Sequence, residues 1–402
     1  MSGEFCKTRL ARMHDVLQGH VVRGDVPGLV SLVSRCGETH VETLGLQALE
    51  GTAPMQRNTI FRIASMTKPI VAVAALMLIE ECVFGLDEPV DRFLPELANP
   101  KVLKSLESEI DDTVPAQRPI SVRDLLTFRL GTGFVMAFPP KYPIQKAIAD
   151  AGFAPGPRAA DLTNDVYLSR VGSVPLIYQP GTRWLYHTGS DLLGVLIARA
   201  SGKSLGDFLR ERIFEPLGMK DTGFMVPAAE LGRLASAYRR DPEKNVLVVA
   251  DDARDSRFSR PLPFHSGGGG LVSTADDFLA FFRMMLNKGV GEGPHGRERI
   301  LSRAAVELMT TDQLTAEQKI GAELFFGESR SWGMGLAVTT KRDELWGTPG
   351  RYGWDGGFGT TAFADPAEDM VGILLTQRMM ESPVPPRIYT DFFTTAYAAI
   401  ND

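Results

Sequence analysis

The longest apolar run of the chain, Ile70 to Ile79, is entered through Ser65-Met66-Thr67-Lys68-Pro69. Such a run must be buried, yet it is too short to span a bilayer. It predicts a core helix starting near Ser65, with Ser65 and Lys68 on one face, because side chains three apart are neighbours there. The hydroxyl would lie at the positive end of the helix dipole, which favours developing negative charge. The amine stands beside a segment that must lose its water, and lost solvation lowers an amine's pKa until it accepts a serine proton. Ser65 is therefore a candidate nucleophile and Lys68 its activator. By itself Ser-x-x-Lys is more often a helix cap followed by a solvated lysine. Pro69 also biases Lys68 away from helical angles.

Length and charge narrow the alternatives. With 402 residues the chain holds two or three domain equivalents, or one large domain with an insertion. Its net charge of −6, with no dense basic stripe, argues against a nucleic-acid partner. The first twenty residues lack a continuous apolar stretch of the secretory kind, and Cys6, Cys36 and Cys82 are too scattered for a disulfide or zinc framework. A cytoplasmic location with free thiols, no membrane span, no metal and no cofactor is expected. Gly202-Lys203-Ser204-Leu205-Gly206 matches a nucleophile-elbow pattern, but Ser204 lies between two helical patterns, where it serves as an N-cap. Ile197 stands where a phosphate loop would need its first glycine. Gly267 to Gly270 read as a tight entry where backbone passes close to something. His187 and His265 are read as structural histidines. No signal for an oligomeric state is present.

The order of patterns suggests an α+β fold. Glu4 to Gly19 reads as an amphipathic helix, followed by a hairpin of Gly28–Val33 and His40–Leu44 around Arg35 to Glu38. Near the other end, Thr360–Asp365 and Met370–Thr376 flank the turn Pro366 to Asp369, and Arg387 to Ile400 is helical in pattern. Between them, helices are expected from Ser190-Asp191 to Gly202, from Ser204 through Ile213, and from Ser273-Thr274 to Gly289. Val135–Val174 and Arg239–Pro263 read as irregular segments of the kind that wall a pocket. The expected architecture is a sheet domain built from residues 1–75 and 265–402, with a mainly helical region over 76–264.

Two further segments carry candidate chemistry. Tyr186 sits in Gln179-Pro180-Gly181-Thr182-Arg183-Trp184-Leu185-Tyr186-His187-Thr188, a turn-rich loop leading into a helix. A tyrosine there is usually packing, but beside Lys68 its phenol could relay the proton of Ser65. Arg351-Tyr352-Gly353-Trp354-Asp355-Gly356-Gly357-Phe358-Gly359 precedes the terminal strand pair, and its glycines would let amides approach an oxyanion.

Taken together and in this order, Ser65-x-x-Lys68, Tyr186-x-Thr188 and Trp354-x-Gly356 resemble the serine β-lactamase and penicillin-binding-protein superfamily. The nearest likeness is to its class C branch and the related family VIII carboxylesterases, and it extends over nearly the whole chain. The resemblance implies a β-lactamase/transpeptidase-like fold, an antiparallel sheet flanked by helices with the site between sheet and helical region. It implies that Ser65 is acylated, that Lys68 activates it, and that Tyr186 shuttles protons. It implies an oxyanion hole made by the amides of Ser65 and Gly357. Thr188 replaces the usual asparagine of the second motif, and Trp354 the usual lysine of the third. Exchanging a cation for an indole favours neutral carboxylic esters of short to medium acyl chain over penicillins. A β-lactamase, a D-alanyl-D-alanine peptidase or an acyltransferase to an alcohol is the alternative. Phe134, Tyr352, Phe358, Trp354, Gly356 and Thr188 are the expected substrate contacts, and a small-molecule ester the expected partner.

Overall fold

The computed structural model describes residues 4–157 and 160–401. Helix α1 (Lys7–Val22) leads into a hairpin of β1 (Gly28–Arg35) and β2 (Glu38–Gly45). The two strands run further than the alternation suggested. They are joined by Cys36-Gly37 alone, both at positive φ (47° and 87°), which a two-residue turn matched to strand twist requires. Next, a 3-10 turn over Ala64–Met66 passes directly into α2 (Thr67–Glu80). Pro69 sits in the first turn of α2, where backbone N–H groups have no intrahelical partner, so Lys68 is helical despite the proline that follows it. Every residue from Thr67 to Leu78 is buried, which explains an apolar run with no polar face.

The two stretches expected to be irregular are more ordered than that. Val135–Val174 contains α3 (Pro143–Asp150) and α4 (Asn164–Ser173), while residues 158 and 159 lie outside the described residues. Each helix buries a few side chains (Ile144 and Ile148, then Tyr167, Leu168 and Val171), too short a stripe to stand out between Pro, Gly and Ala. Arg239–Pro263 includes most of a hairpin of Ala237–Asp241 with Val246–Asp251. Helix α5 (Thr188–Ser201) starts earlier than Ser190 and stops at Gly202, whose φ is 70°. Helices α6 (Leu205–Leu209) and α7 (Ala275–Leu286) are capped by Ser204 and Thr274, whose hydroxyls accept from the amides of Asp207 and Asp277.

The chain then adds β3 (Arg330–Trp332), β4 (Ala337–Thr339), β5 (Tyr352–Gly356), β6 (Thr360–Asp365), β7 (Met370–Thr376) and helix α8 (Arg387–Ala398). Strands β6 and β7 have the expected bounds. The seven strands form one antiparallel sheet in the order β3-β4-β5-β6-β7-β1-β2. Its two chain ends join where β1 pairs with β7, Leu29 opposite Thr376. On one face α1 and α8 cover Leu29, Val33 and Leu374 with Met13, Leu17, Phe392 and Phe393. On the other, Val30, Leu32 and Ile373 join the large core that includes α2 and α7. Each such side chain, fully buried, contributes about 1.5–3 kcal/mol. This is the α+β architecture that the resemblance implied. Among the described residues no helix is long and apolar enough to cross a membrane.

Candidate active site

Ser65 lies in the 3-10 turn at the head of α2, immediately after Ala64. Ala64 has φ of 43°, a left-handed value for a residue with a Cβ. Such strain costs about 1–3 kcal/mol and persists only where packing over-determines it. Ala64 is packed in a small buried cluster with Ala237 and Phe358. The turn thereby presents the Ser65 hydroxyl toward the first turn of α2.

Lys68 is fully buried. Its Nζ is in hydrogen-bond contact with Ser65 Oγ at 2.9 Å, donates to the Gly268 carbonyl at 2.5 Å, and faces His187 Nδ1 at 3.3 Å. Burial pushes the amine down to about 7, against the opposing attraction of Asp191. Near neutral pH a large fraction of Lys68 is therefore an uncharged base touching a hydroxyl.

Tyr186 approaches from the loop before α5, stacked on Trp184 with ring centroids 5.6 Å apart. Lys68 Nζ lies over the Tyr186 ring, 4.5 Å from its centroid. The phenol oxygen accepts the indole N–H of Trp354 at 2.5 Å and is hydrogen-bonded to Ser65. Lysine and tyrosine thus meet at the serine hydroxyl, and the amine rests on the face of the ring. Burial raises the phenol pKa, and the bonds from Ser65 and Trp354 offset part of that rise.

A cavity of about 440 Å³ opens onto this cluster, lined by Ser65, Tyr186, Trp354, Phe134, Phe325 and Gly357 among others. A larger one, about 760 Å³, lies beside α1 and holds none of the candidate residues. Volume alone does not mark the site; chemistry does. Among the described residues neither the Ser65 nor the Gly357 amide donates to a protein acceptor, so both are available to a ligand. Gly356 does not line the cavity. A Cβ there would come within 2.3 Å of the Ile63 carbonyl, so glycine lets β5 lie against the segment that carries Ser65.

The remaining expected contacts lie elsewhere. Tyr352 is buried against Phe282, away from the cavity. Phe358 packs under Ala64 and supports the strained turn from behind. Thr188 is buried as the first residue of α5, its Oγ1 without a partner among the described residues. What the sequence reading set aside is His187, in contact with Lys68. The two are distant in sequence, and no local pattern signals their meeting.

Trp354→Phe keeps an aromatic ring but removes the N–H that the Tyr186 oxygen accepts. The phenol pKa should rise and kcat should fall by about five- to tenfold, the worth of one neutral hydrogen bond, with KM little changed. Steady-state kinetics on a nitrophenyl ester measures this.

The family model described as Beta-lactamase matches residues 13–393. Protein Rv1367c of Mycobacterium tuberculosis is 38% identical over 364 residues, covering 88% of this chain and 86% of that one. Esterase EstB of Burkholderia gladioli is 30% identical over 395 residues, covering 94% and 92%. Among solved structures, "EstCE1, a hydrolase with promiscuous acyltransferase activity" superposes with a TM-score of 0.80 at 24% identity, covering 97% of this chain and 99% of that one.

Proposed function

We propose, for a chain that belongs to the beta-lactamase family, that it is a serine hydrolase cleaving carboxylic esters through an acyl-enzyme on Ser65. The observation that carries this is the contact of a fully buried Lys68, its pKa pushed down to about 7, with the Ser65 hydroxyl at 2.9 Å, beside an apolar cavity. Lys68 takes the proton as Ser65 Oγ attacks the ester carbonyl. The amides of Ser65 and Gly357 receive the oxyanion, each such donor being worth about 2.7–4 kcal/mol in the barrier. The alcohol leaves with the proton of Tyr186. Because burial raises the phenol pKa, that transfer must be coupled to proton return from the Lys68 ammonium. Water then releases the acid by the same steps in reverse.

Several features support esters over lactams. Trp354 places an indole where the resemblance expects a lysine, so a substrate carboxylate finds no ammonium there. Phe134, Met136 and Phe325 add apolar wall, which suits a neutral acyl chain of short to medium length. The named esterase relative points the same way. Acyl transfer to an alcohol is a second reading, favoured by the exposed rim residues Phe138 and Leu324, 70% and 56% accessible, which would cover part of a bulky acceptor. The free thiols Cys6, Cys36 and Cys82 support a reducing, cytoplasmic setting.

A panel of short-chain nitrophenyl esters, nitrocefin and a D-alanyl-D-alanine peptide tests the choice. The esters should exceed the other two in kcat/KM by at least about a hundredfold. A panel led by nitrocefin or the peptide would refute it, and product transfer to added alcohols in preference to water would select the second reading.

A further inference from the structure

His187 has φ of 85° and ψ of −63°, and the Thr188 amide bonds back to the Tyr186 carbonyl across it at 3.3 Å. This three-residue turn is rare and strained for any residue with a Cβ. It holds the imidazole, 6% exposed, between Lys68 and Asp191. His187 Nε2 lies 3.1 Å from Asp191 Oδ2. Burial pushes the Asp191 carboxyl up, but His187, the Ser266 hydroxyl at 2.6 Å and the Gly268 amide at 2.8 Å outweigh it and hold it ionised. An ionised carboxylate accepts only, so Nε2 carries the ring proton and Nδ1 turns its lone pair toward Lys68. Burial and the neighbouring Lys68 keep the ring neutral. Gly268 completes the fit: a Cβ there would stand 2.8 Å from His187 Nε2.

A neutral amine has two N–H bonds and one lone pair. Around Lys68 Nζ stand two acceptors that offer no proton, the Gly268 carbonyl and His187 Nδ1, and one hydroxyl, Ser65 Oγ. We propose that His187, braced by Asp191, is a positioning residue that with the Gly268 carbonyl occupies both N–H bonds of Lys68 and so aims its lone pair at Ser65 Oγ. The inference rests on the reading of Ser65 as the acylated serine. With the carbonyl alone, Nζ would rotate freely and often point an N–H at the hydroxyl instead. When the proton crosses from Oγ to Nζ, the ammonium finds three acceptors in place and no heavy atom has to move.

Three substitutions separate this role from simple packing. His187→Asn sets Oδ1 where Nδ1 stood and tolerates positive φ. His187→Leu fills the space without an acceptor, and His187→Gly relaxes the turn while removing the acceptor. The readouts are the acylation rate of Ser65 from the burst with a slow nitrophenyl ester, the KM, and the melting temperature. The Leu and Gly variants should acylate about 10- to 100-fold more slowly, KM staying within about twofold, as expected of a misaimed group. The Asn variant should recover to within about fivefold of the native rate. The Gly and Leu variants should melt lower than the native protein, since each leaves Asp191 without its imidazole partner. The Asn variant leaves Asp191 equally unpartnered yet should recover the rate, a combination that lost packing would not produce. A Leu variant at the native rate, or an Asn variant as slow as Leu, overturns the proposal. Native protein that leaves Ser65 unlabelled would instead bring down the acyl-enzyme reading itself.

Discussion

Ser65→Ala is expected to reduce ester kcat/KM by a factor on the order of 10³–10⁶, the range seen when the nucleophile of a concerted catalytic unit is removed. The size follows from the geometry. Lys68 and Tyr186 both converge on the Ser65 hydroxyl, so without it neither has a proton to move. Alanine removes a single buried oxygen and leaves Lys68 its contacts to Gly268 and His187, so the fold should persist. A fluorophosphonate should add its mass to the native protein on Ser65 and fail to label the variant. A Ser65→Ala protein with native ester turnover would sink the mechanism, and a label on another residue would relocate the site.

The second large effect runs in two directions at once. Lys68→Met should lower activity by a comparable factor while raising the melting temperature at pH 7. Burial lowers the lysine from 10.5 to about 7. Unfolded lysine therefore binds more protons than folded lysine between about pH 7 and pH 10.5, and stability rises with pH across that window. Below about 7 the group is protonated in both states, and the native protein carries the full penalty of a buried ammonium, roughly 4–5 kcal/mol relative to the high-pH plateau. Methionine carries none of it, so this part of the pH dependence should vanish from the variant's denaturation curves. The same titration gives the native enzyme an acid limb in kcat/KM near pH 7, activity rising as Lys68 loses its proton. A Lys68→Met protein less stable than the native one at pH 7 would mean that the lysine is better solvated than its burial implies.

What the sequence made legible was whatever is written locally. The strands Thr360–Asp365 and Met370–Thr376 are bounded by Pro366 to Asp369, a turn spelled in the residues that make turns. Ser204 and Thr274 announce their helices through caps three residues from an aspartate. Helices α3 and α4 escaped because each buries only a few side chains, within a stretch whose Pro and Gly content speaks for loop. In the candidate site, Ser65, Lys68, Tyr186 and Trp354 were legible as spaced motifs. His187 was not, because its meaning comes from a lysine on another helix and a turn that strains its own backbone. Tyr352 and Phe358 flank Trp354 in sequence and were drawn in with it. Tyr352 points into the core between sheet and α7, and Phe358 braces the turn before Ser65.

Because β1 pairs with β7, the sheet closes only when the earliest strand meets one of the latest. Ser65 and Gly357 stand on opposite sides of that closure. A chain still emerging from the ribosome would display the serine long before the glycine proposed to share in its anion cradle. On the mechanism proposed above, a partial length without Gly357 would hold only one of the two oxyanion donors, and full reactivity would await the long loop that joins the two ends of the sheet.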